Sequence, residues 1–331
     1  MPRNGSPLPP KRSPSALSQI VDNVIPIFAL IAIGWAAVAL RLLKAEVGDA
    51  LGDFVFKLAV PVLLFRTIAE ADLDGSSPWT LWAAYFSGVA VTWTVGHLLA
   101  TRVFKRDARL GVVAGVSSAF ANNVFIGLPL VGRMLSDQGV AALSILLSVH
   151  LPVMMIAGTL MMERAERAVE GKAGQGIGAI LRQVARNLVR NPLVIGLVAG
   201  SLFRLTGLPI GGIPEVVMDQ IAGLAGPAAL LSMGMAVRKY GVRGHLGPAV
   251  TMSALKLFLL PASVYVAAHL LELSPVWTAA MVLTSSVPTG VNAYLIANHF
   301  GVGHGLASST ITLTTALGVF TVSIWAVILG V

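Results

Sequence analysis

Two polar runs stand inside long apolar stretches of this 331-residue chain. The first is Ser117-Ser118-Ala119-Phe120-Ala121-Asn122-Asn123-Val124-Phe125-Ile126-Gly127-Leu128-Pro129. The second is Thr284-Ser285-Ser286-Val287-Pro288-Thr289-Gly290-Val291-Asn292. Pro129 has no amide hydrogen, so the Phe125 carbonyl loses its helical partner, and Pro288 does the same to Thr284. Gly127 and Gly290 weaken the helix further. Each interruption creates a half-helix whose N-terminus carries roughly half a positive charge and unpaired amides. Two such ends converging make a site for a carboxylate. Asn122, Asn123, Thr289 and Asn292 add directional hydrogen bonds, and Ser285 and Ser286 complete the candidate set. The plainer account is a pair of proline kinks with the amides as interhelical glue.

The elements that hold these runs follow from composition. The chain is 56% hydrophobic and 11% charged, with a mean hydropathy of +0.81. A soluble domain carries about 25% charged residues, so most of this chain is expected in lipid. There is no cysteine, which excludes disulfides, thiol catalysis and thiolate metal sites. The net charge of +8 sits in short loops between apolar runs, so it reports topology rather than nucleic-acid binding.

A bilayer core needs roughly 20 apolar residues per helix. Ten segments qualify, at 20–41, 48–68, 78–101, 109–132, 138–161, 192–210, 214–237, 246–271, 275–299 and 303–330. The first nineteen residues, rich in Pro and Ser, read as a disordered tail. Arg3, Lys11 and Arg12 precede the first span, and Ala37-Val38-Ala39 resembles a signal-peptidase site. The apolar run between them exceeds the roughly 7–15 residues of a signal core, which favours retention as a span.

Basic residues orient the spans. Loops after spans 1, 3, 5 and 7 hold 15 Lys and Arg; the tail and the other loops hold 6. The former are expected in the cytoplasm of a multi-pass inner-membrane protein, with both termini outside. The longest loop, 162–191, contains a run with Ile180, Leu181, Val184, Leu188 and Val189 on one side and Arg182, Arg186 and Arg190 on another. That pattern predicts a helix lying on the cytoplasmic membrane surface.

This linker divides the chain into five spans (20–161) and five spans (192–331). Both second spans read L-A-x-P-x-x-L, as Leu58 to Leu64 and Leu224 to Leu230, and both fourth spans carry the polar interruptions. Five is odd, so the second half enters the membrane in the opposite sense. The pattern predicts an all-α membrane protein of two inverted five-helix repeats, with the paired interruptions marking a transport site.

The sequence resembles the auxin efflux carrier family, which includes plant auxin carriers and bacterial malonate-type permeases. The specific matches are Asn123 to Pro129 in span 4 and Val287 to Tyr294 in span 9. Ile25 to Phe28 with Gly34-Trp35, Leu58 to Pro61, and Lys256 to Pro261 support them. The resemblance covers about residues 20–330. It implies a fold like that of bile-acid symporters and sodium/proton antiporters, with broken spans 4 and 9 crossing at the centre. It implies a scaffold of spans 1, 2, 6 and 7, a moving part from the rest, and a homodimer through the scaffold. The substrates would be organic anions. The short central linker and Asn292-Ala293 depart from the plant carriers, favouring a malonate-like substrate over auxin-like aromatic acids.

Ionisable residues inside spans are functional candidates by default. His150 lies two residues before Pro152 and either carries a proton, pairs with an anion, or bonds a carbonyl that the proline frees. Lys57 follows Asp53 by one turn, as in a structural ion pair. Lys256 either snorkels to the cytoplasmic side or holds the crossing. No Asp or Glu occurs near the middle of spans 4, 5 or 9, which disfavours cation antiport. Ser117, Ser118 and the Asn side chains, with bare carbonyls, leave Na⁺ coupling open beside proton coupling and none. No cofactor is expected. H-E-x-x-H, G-x-S-x-G and paired intramembrane aspartates are absent from the sequence, so a transporter is favoured over an enzyme. A channel is the other rival.

Overall fold

The computed structural model describes residues 16–71, 77–135, 137–170, 177–244 and 246–331. The described residues are helical almost throughout, and their one β-type pairing is an isolated bridge. In the first half α1 spans Ala16–Ala39, α2 Ala45–Phe54, α3 Val60–Glu70, α4 Pro78–Leu98, α5 Ala108–Ala119, α6 Leu128–Met134 and α7 Asp137–Glu170. α8 is Ile177–Val189. In the second half α9 spans Pro192–Arg204, α10 Gly212–Tyr240, α11 Leu246–Ala254, α12 Leu260–Leu270, α13 Pro275–Ser286, α14 Asn292–His299 and α15 His304–Leu329.

Prolines decide how several of these helices join. α2 runs into α3 through a π-helical turn, Val55–Ala59, and α11 runs into α12 through Leu255–Leu259. A third turn, Asn123–Gly127, leads into α6. Each ends two residues before a proline: Pro61, Pro261 or Pro129. The wider turn shifts the hydrogen-bond register just where the proline withholds a donor, so the rod continues instead of breaking.

Among the described residues, six helical stretches are long and apolar enough to cross a membrane: Asp22–Ala39, Pro78–Val103, Asp137–Ala168, Gly212–Tyr240, Leu246–Leu270 and His304–Leu329. Their solvent is lipid, as the distribution of side chains shows. Leu270, Ile213 and Phe320 are exposed, while Thr92, Ser117, Asn123, Lys256, Thr284, Ser286 and Thr310 are buried. An apolar exterior around a polar interior is what hydrocarbon selects.

Three boundaries correct the sequence reading. α1 begins at Ala16, inside the stretch assigned to a disordered tail, and residues 1–15 lie outside the described residues. α7 runs nine residues past 161 to Glu170. Glu163 and Arg167 continue it, 3.8 Å apart as an i,i+4 pair. α9 ends at Arg204 rather than near 210, because Leu205–Gly207 turn and Gly207 takes a positive φ of 67°. The amphipathic α8 forms where expected, with Arg182, Arg186 and Arg190 exposed; Ile180, Leu181 and Val184 lie outside the described side chains.

Close backbone approach sets the helix pairs. Gly34 and Gly234 let α1 and α10 meet: a Cβ on Gly234 would lie 2.0 Å from the Ile31 carbonyl oxygen. Gly196 and Gly200 do the same for α9 on α3, against the Pro61 and Phe65 carbonyls. The α12 rod packs on α4, α5 packs against α4, and α13 packs against α12.

Candidate functional site

α5 stops at Ala119, and the chain turns extended at Phe120 with φ −87° and ψ 104°. α13 stops at Ser286, and Val287 is likewise extended at φ −65° and ψ 158°. The two extended segments meet antiparallel. The Asn122 amide donates to the Pro288 carbonyl at 3.0 Å, and the Gly290 amide donates to the Phe120 carbonyl at 2.8 Å. Ala121 and Thr289 face each other as the isolated bridge. Each break therefore satisfies backbone groups that the other exposes, which buried backbone at this depth requires.

Side chains complete the crossing. The Thr289 hydroxyl donates to the Ser117 carbonyl at 2.8 Å, and the Thr289 amide donates to the Thr314 hydroxyl at 3.0 Å. The fully buried Lys256 donates to the Ser285 and Val287 carbonyls, both at 2.6 Å. Gly127 and Gly290 serve close approach. A Cβ on Gly127 would lie 3.0 Å from Thr284 Oγ1, and one on Gly290 3.0 Å from the Phe120 ring.

The first break does not fall at its proline, whereas the second, between Ser286 and Asn292, contains Pro288. The first half-helix restarts at Asn123, six residues before Pro129, because the π turn absorbs that proline. Asn122 caps it, its Oδ1 accepting from the Phe125 amide at 3.4 Å while its Nδ2 faces Met233 Sδ at 3.1 Å. Asn123 Nδ2 donates to the Tyr85 hydroxyl at 3.2 Å, and that hydroxyl lies 3.5 Å from His150 Nε2. His150 is held among the rings of Tyr85, Phe86 and Phe120, with centroids 5.0–6.4 Å away. Its polar neighbour is thus the Tyr85 hydroxyl rather than a carbonyl freed by Pro152. Asn123 Oδ1, Ser117 Oγ and Thr284 Oγ1 are buried without a protein partner.

A cavity of about 460 Å³ lies against this assembly. Ala121, Asn122, Asn123, His150 and Asn292 line its inner end; Phe56, Phe125, Leu147, Met233 and Leu295 line its walls. Asp49, Asp53 and Tyr240 stand at the other end. Both acids are paired, Asp49 with Lys239 and Asp53 with Lys57, the latter at 2.6 Å on an exposed face. Their charge is thereby offset at the mouth. A second cavity of about 340 Å³ lies on the far side of Val124, lined by Pro129, Pro26, Pro227 and Arg133. Val124 lines both.

A model of the family described as "Membrane transport protein" matches residues 19–326. The chain belongs to that family. It is the auxin efflux carrier family that the span 4 and span 9 motifs resemble, and the chain is a multi-pass membrane transporter. A protein of Rhizobium meliloti (strain 1021) named "Putative malonate transporter" is 27% identical over 328 residues, covering 93% of this chain and 95% of that one. An "Uncharacterized transporter" of Methanothermobacter thermautotrophicus is 23% identical over 314 residues, covering 93% and 98%. Another, "Uncharacterized transporter MJ1031" of Methanocaldococcus jannaschii, is 20% identical over 321 residues, covering 93% and 98%.

Not all predicted residues of this transporter reach the cavity. Asn122, Asn123, Asn292 and His150 do. Thr289, Gly290, Pro288 and Gly127 build the crossing behind it. Ser285 and Ser286 are buried and turn their hydroxyls back onto the Val282 and Leu283 carbonyls. Ser118 bonds Gly115 and Thr92 carbonyls. Tyr85, Met233 and Thr314 were not among the predicted residues. Tyr85 had one usable signal, since a hydroxyl deep in an apolar span needs a partner.

Proposed function

We propose that this transporter is an alternating-access carrier for a small organic anion, bound by its carboxylate at Asn123 and Asn292. The observation that carries the reading is the 460 Å³ cavity ending on both half-helix starts, Asn122–Asn123 and Asn292. Its size fits a small-molecule site. The half-helix amides supply positive potential without a mobile charge. The name of the Rhizobium relative supports a malonate-like dicarboxylate. Phe56 and Phe125 in the wall, with Tyr240 at the far end, favour a second reading, an aromatic acid of the auxin type.

Ten spans in two inverted repeats, 20–161 and 192–331, fit the helix contacts. α1 packs on α10 as α9 packs on α3, and α5 on α7 as α13 on α15. Exchanging the halves maps each pair onto the other. On this reading α1–α3, α9 and α10 are the scaffold, through which two copies dimerise, and the remaining helices move as an elevator. The two cavities on either side of Val124 would be the two access routes. The larger ends beside Asp49 and Tyr240, near the basic loops, and so faces the cytoplasm of an inner-membrane carrier with both termini outside. α8 lies on the cytoplasmic lipid surface.

Counterflow in proteoliposomes tests the reading. Vesicles preloaded with unlabelled malonate should take up labelled malonate faster than empty ones, with saturation. Linear, non-saturating flux would indicate a channel instead. Preference for an aromatic acid over malonate would move the substrate to the second reading.

A further inference from the structure

The most deeply buried basic side chain among the described residues lies behind the cavity. Lys256 is fully buried, and its ammonium sits 2.6 Å from both the Ser285 and Val287 carbonyls. Those carbonyls belong to the C-terminal end of α13, which carries partial negative charge. Contacts this short are characteristic of charge-assisted bonds. Among the described residues no carboxylate pairs with Lys256, and no Asp or Glu follows Glu272 in the sequence. The neighbouring hydroxyls are also committed: Ser285 and Ser286 bond their own helix. The lysine is presented by a π-helical turn, Leu255–Leu259, which the Trp325 indole pins by donating to the Leu257 carbonyl at 3.0 Å. Pro261 behind the turn fixes its register.

Unwound carbonyls at a half-helix C-terminus are where transporters of this general design coordinate alkali cations. Here an amine on a side chain already occupies them. We propose that the Lys256 ammonium is a tethered cation, taking the place of a dissolved Na⁺ at the second crossing. It rests on the crossing-site reading above and deepens it. The half-helix charge at α13 is balanced by the chain itself, and no alkali ion is needed there to hold Val287–Val291 in place. Lys256 is a positioning residue: it reaches the substrate site only through the segment that carries Thr289 and Asn292.

The test uses no substrate, so a failure of malonate transport leaves it untouched. Thermal unfolding midpoints of the purified wild type, Lys256→Met and Lys256→Gln are compared in NaCl and in choline chloride at equal ionic strength. The wild type should melt alike in both salts. Lys256→Met should melt lower in choline by roughly 5 °C or more, and regain part of the loss in NaCl, where Na⁺ can enter the vacated carbonyl site. Lys256→Gln keeps a donor without the charge, and should fold with a smaller loss that NaCl also reduces. Should Lys256→Met fail to fold, the glutamine variant decides. Equal Na⁺ responses in the wild type and the glutamine variant would overturn the proposal. So would a glutamine variant with the wild-type midpoint in choline.

Discussion

At the end of α5, the Ser117 carbonyl takes the Thr289 hydroxyl and the Phe120 carbonyl takes the Gly290 amide. At the end of α13, the Ser285 and Val287 carbonyls both take Lys256, and the Pro288 carbonyl takes the Asn122 amide. The two ends meet at one antiparallel bridge and pose the same problem, carbonyls released in a buried polar interior. One is answered with neutral donors and the other with a buried charge. The difference teaches that two breaks paired through one bridge can satisfy their carbonyls by different electrostatics. Each arm keeps buried oxygens without a protein partner, Ser117 and Asn123 on the first and Thr284 on the second, while Ser285 and Ser286 of the second bond their own helix. The cavity reaches Asn123 on the first arm and stops at Asn292 on the second, short of Lys256.

Removing the donors should rank the two arms. Lys256→Met strips two charge-assisted bonds and is expected to cost about 3 kcal/mol of stability, read as the largest fall in unfolding midpoint of any single crossing substitution. Asn123→Ala and Asn292→Ala should each abolish measurable uptake while preserving expression and size-exclusion profile; a variant that transports normally would remove its side chain from the site. Thr289→Val keeps shape and loses the hydroxyl bond to Ser117, at about 1 kcal/mol. A loss matching that of Lys256→Met would erase the contrast between the arms. Tyr85→Phe frees Asn123 and His150 of their shared hydroxyl. It should raise the half-saturation constant by about fivefold, corresponding to roughly 1 kcal/mol, with little change in midpoint. Lys57→Met serves as the low end of the scale, since its exposed pair with Asp53 is worth about 0–1 kcal/mol.

Much of this was legible in the residues. Hydropathy located the apolar helices, though α7 ran nine residues past its predicted end and α9 stopped about six short, and the polar runs named both segments that pair at the bridge. The exact break points were not legible, because a π turn lets Pro129 sit inside a helix and moves the interruption to Phe120–Asn122. The Lys256 contacts join residues 29 and 31 positions apart, and the bond from Thr289 to Ser117 joins residues 172 apart. No spacing rule reaches such pairs. Tyr85 looked like any aromatic of an apolar span until folding set it between Asn123 and His150. Ser285 and Ser286 were drawn into the predicted site by composition, although a serine in a helix can satisfy itself on the preceding turn.

A binding site at the crossing is tested most directly by uptake of radiolabelled malonate into proteoliposomes containing the wild type or Asn123→Ala, with both proteins shown folded by their unfolding midpoints. Saturable uptake by the wild type, lost in Asn123→Ala at an unchanged midpoint, is the predicted result. Equal saturable uptake by the two proteins would contradict a binding site at the crossing.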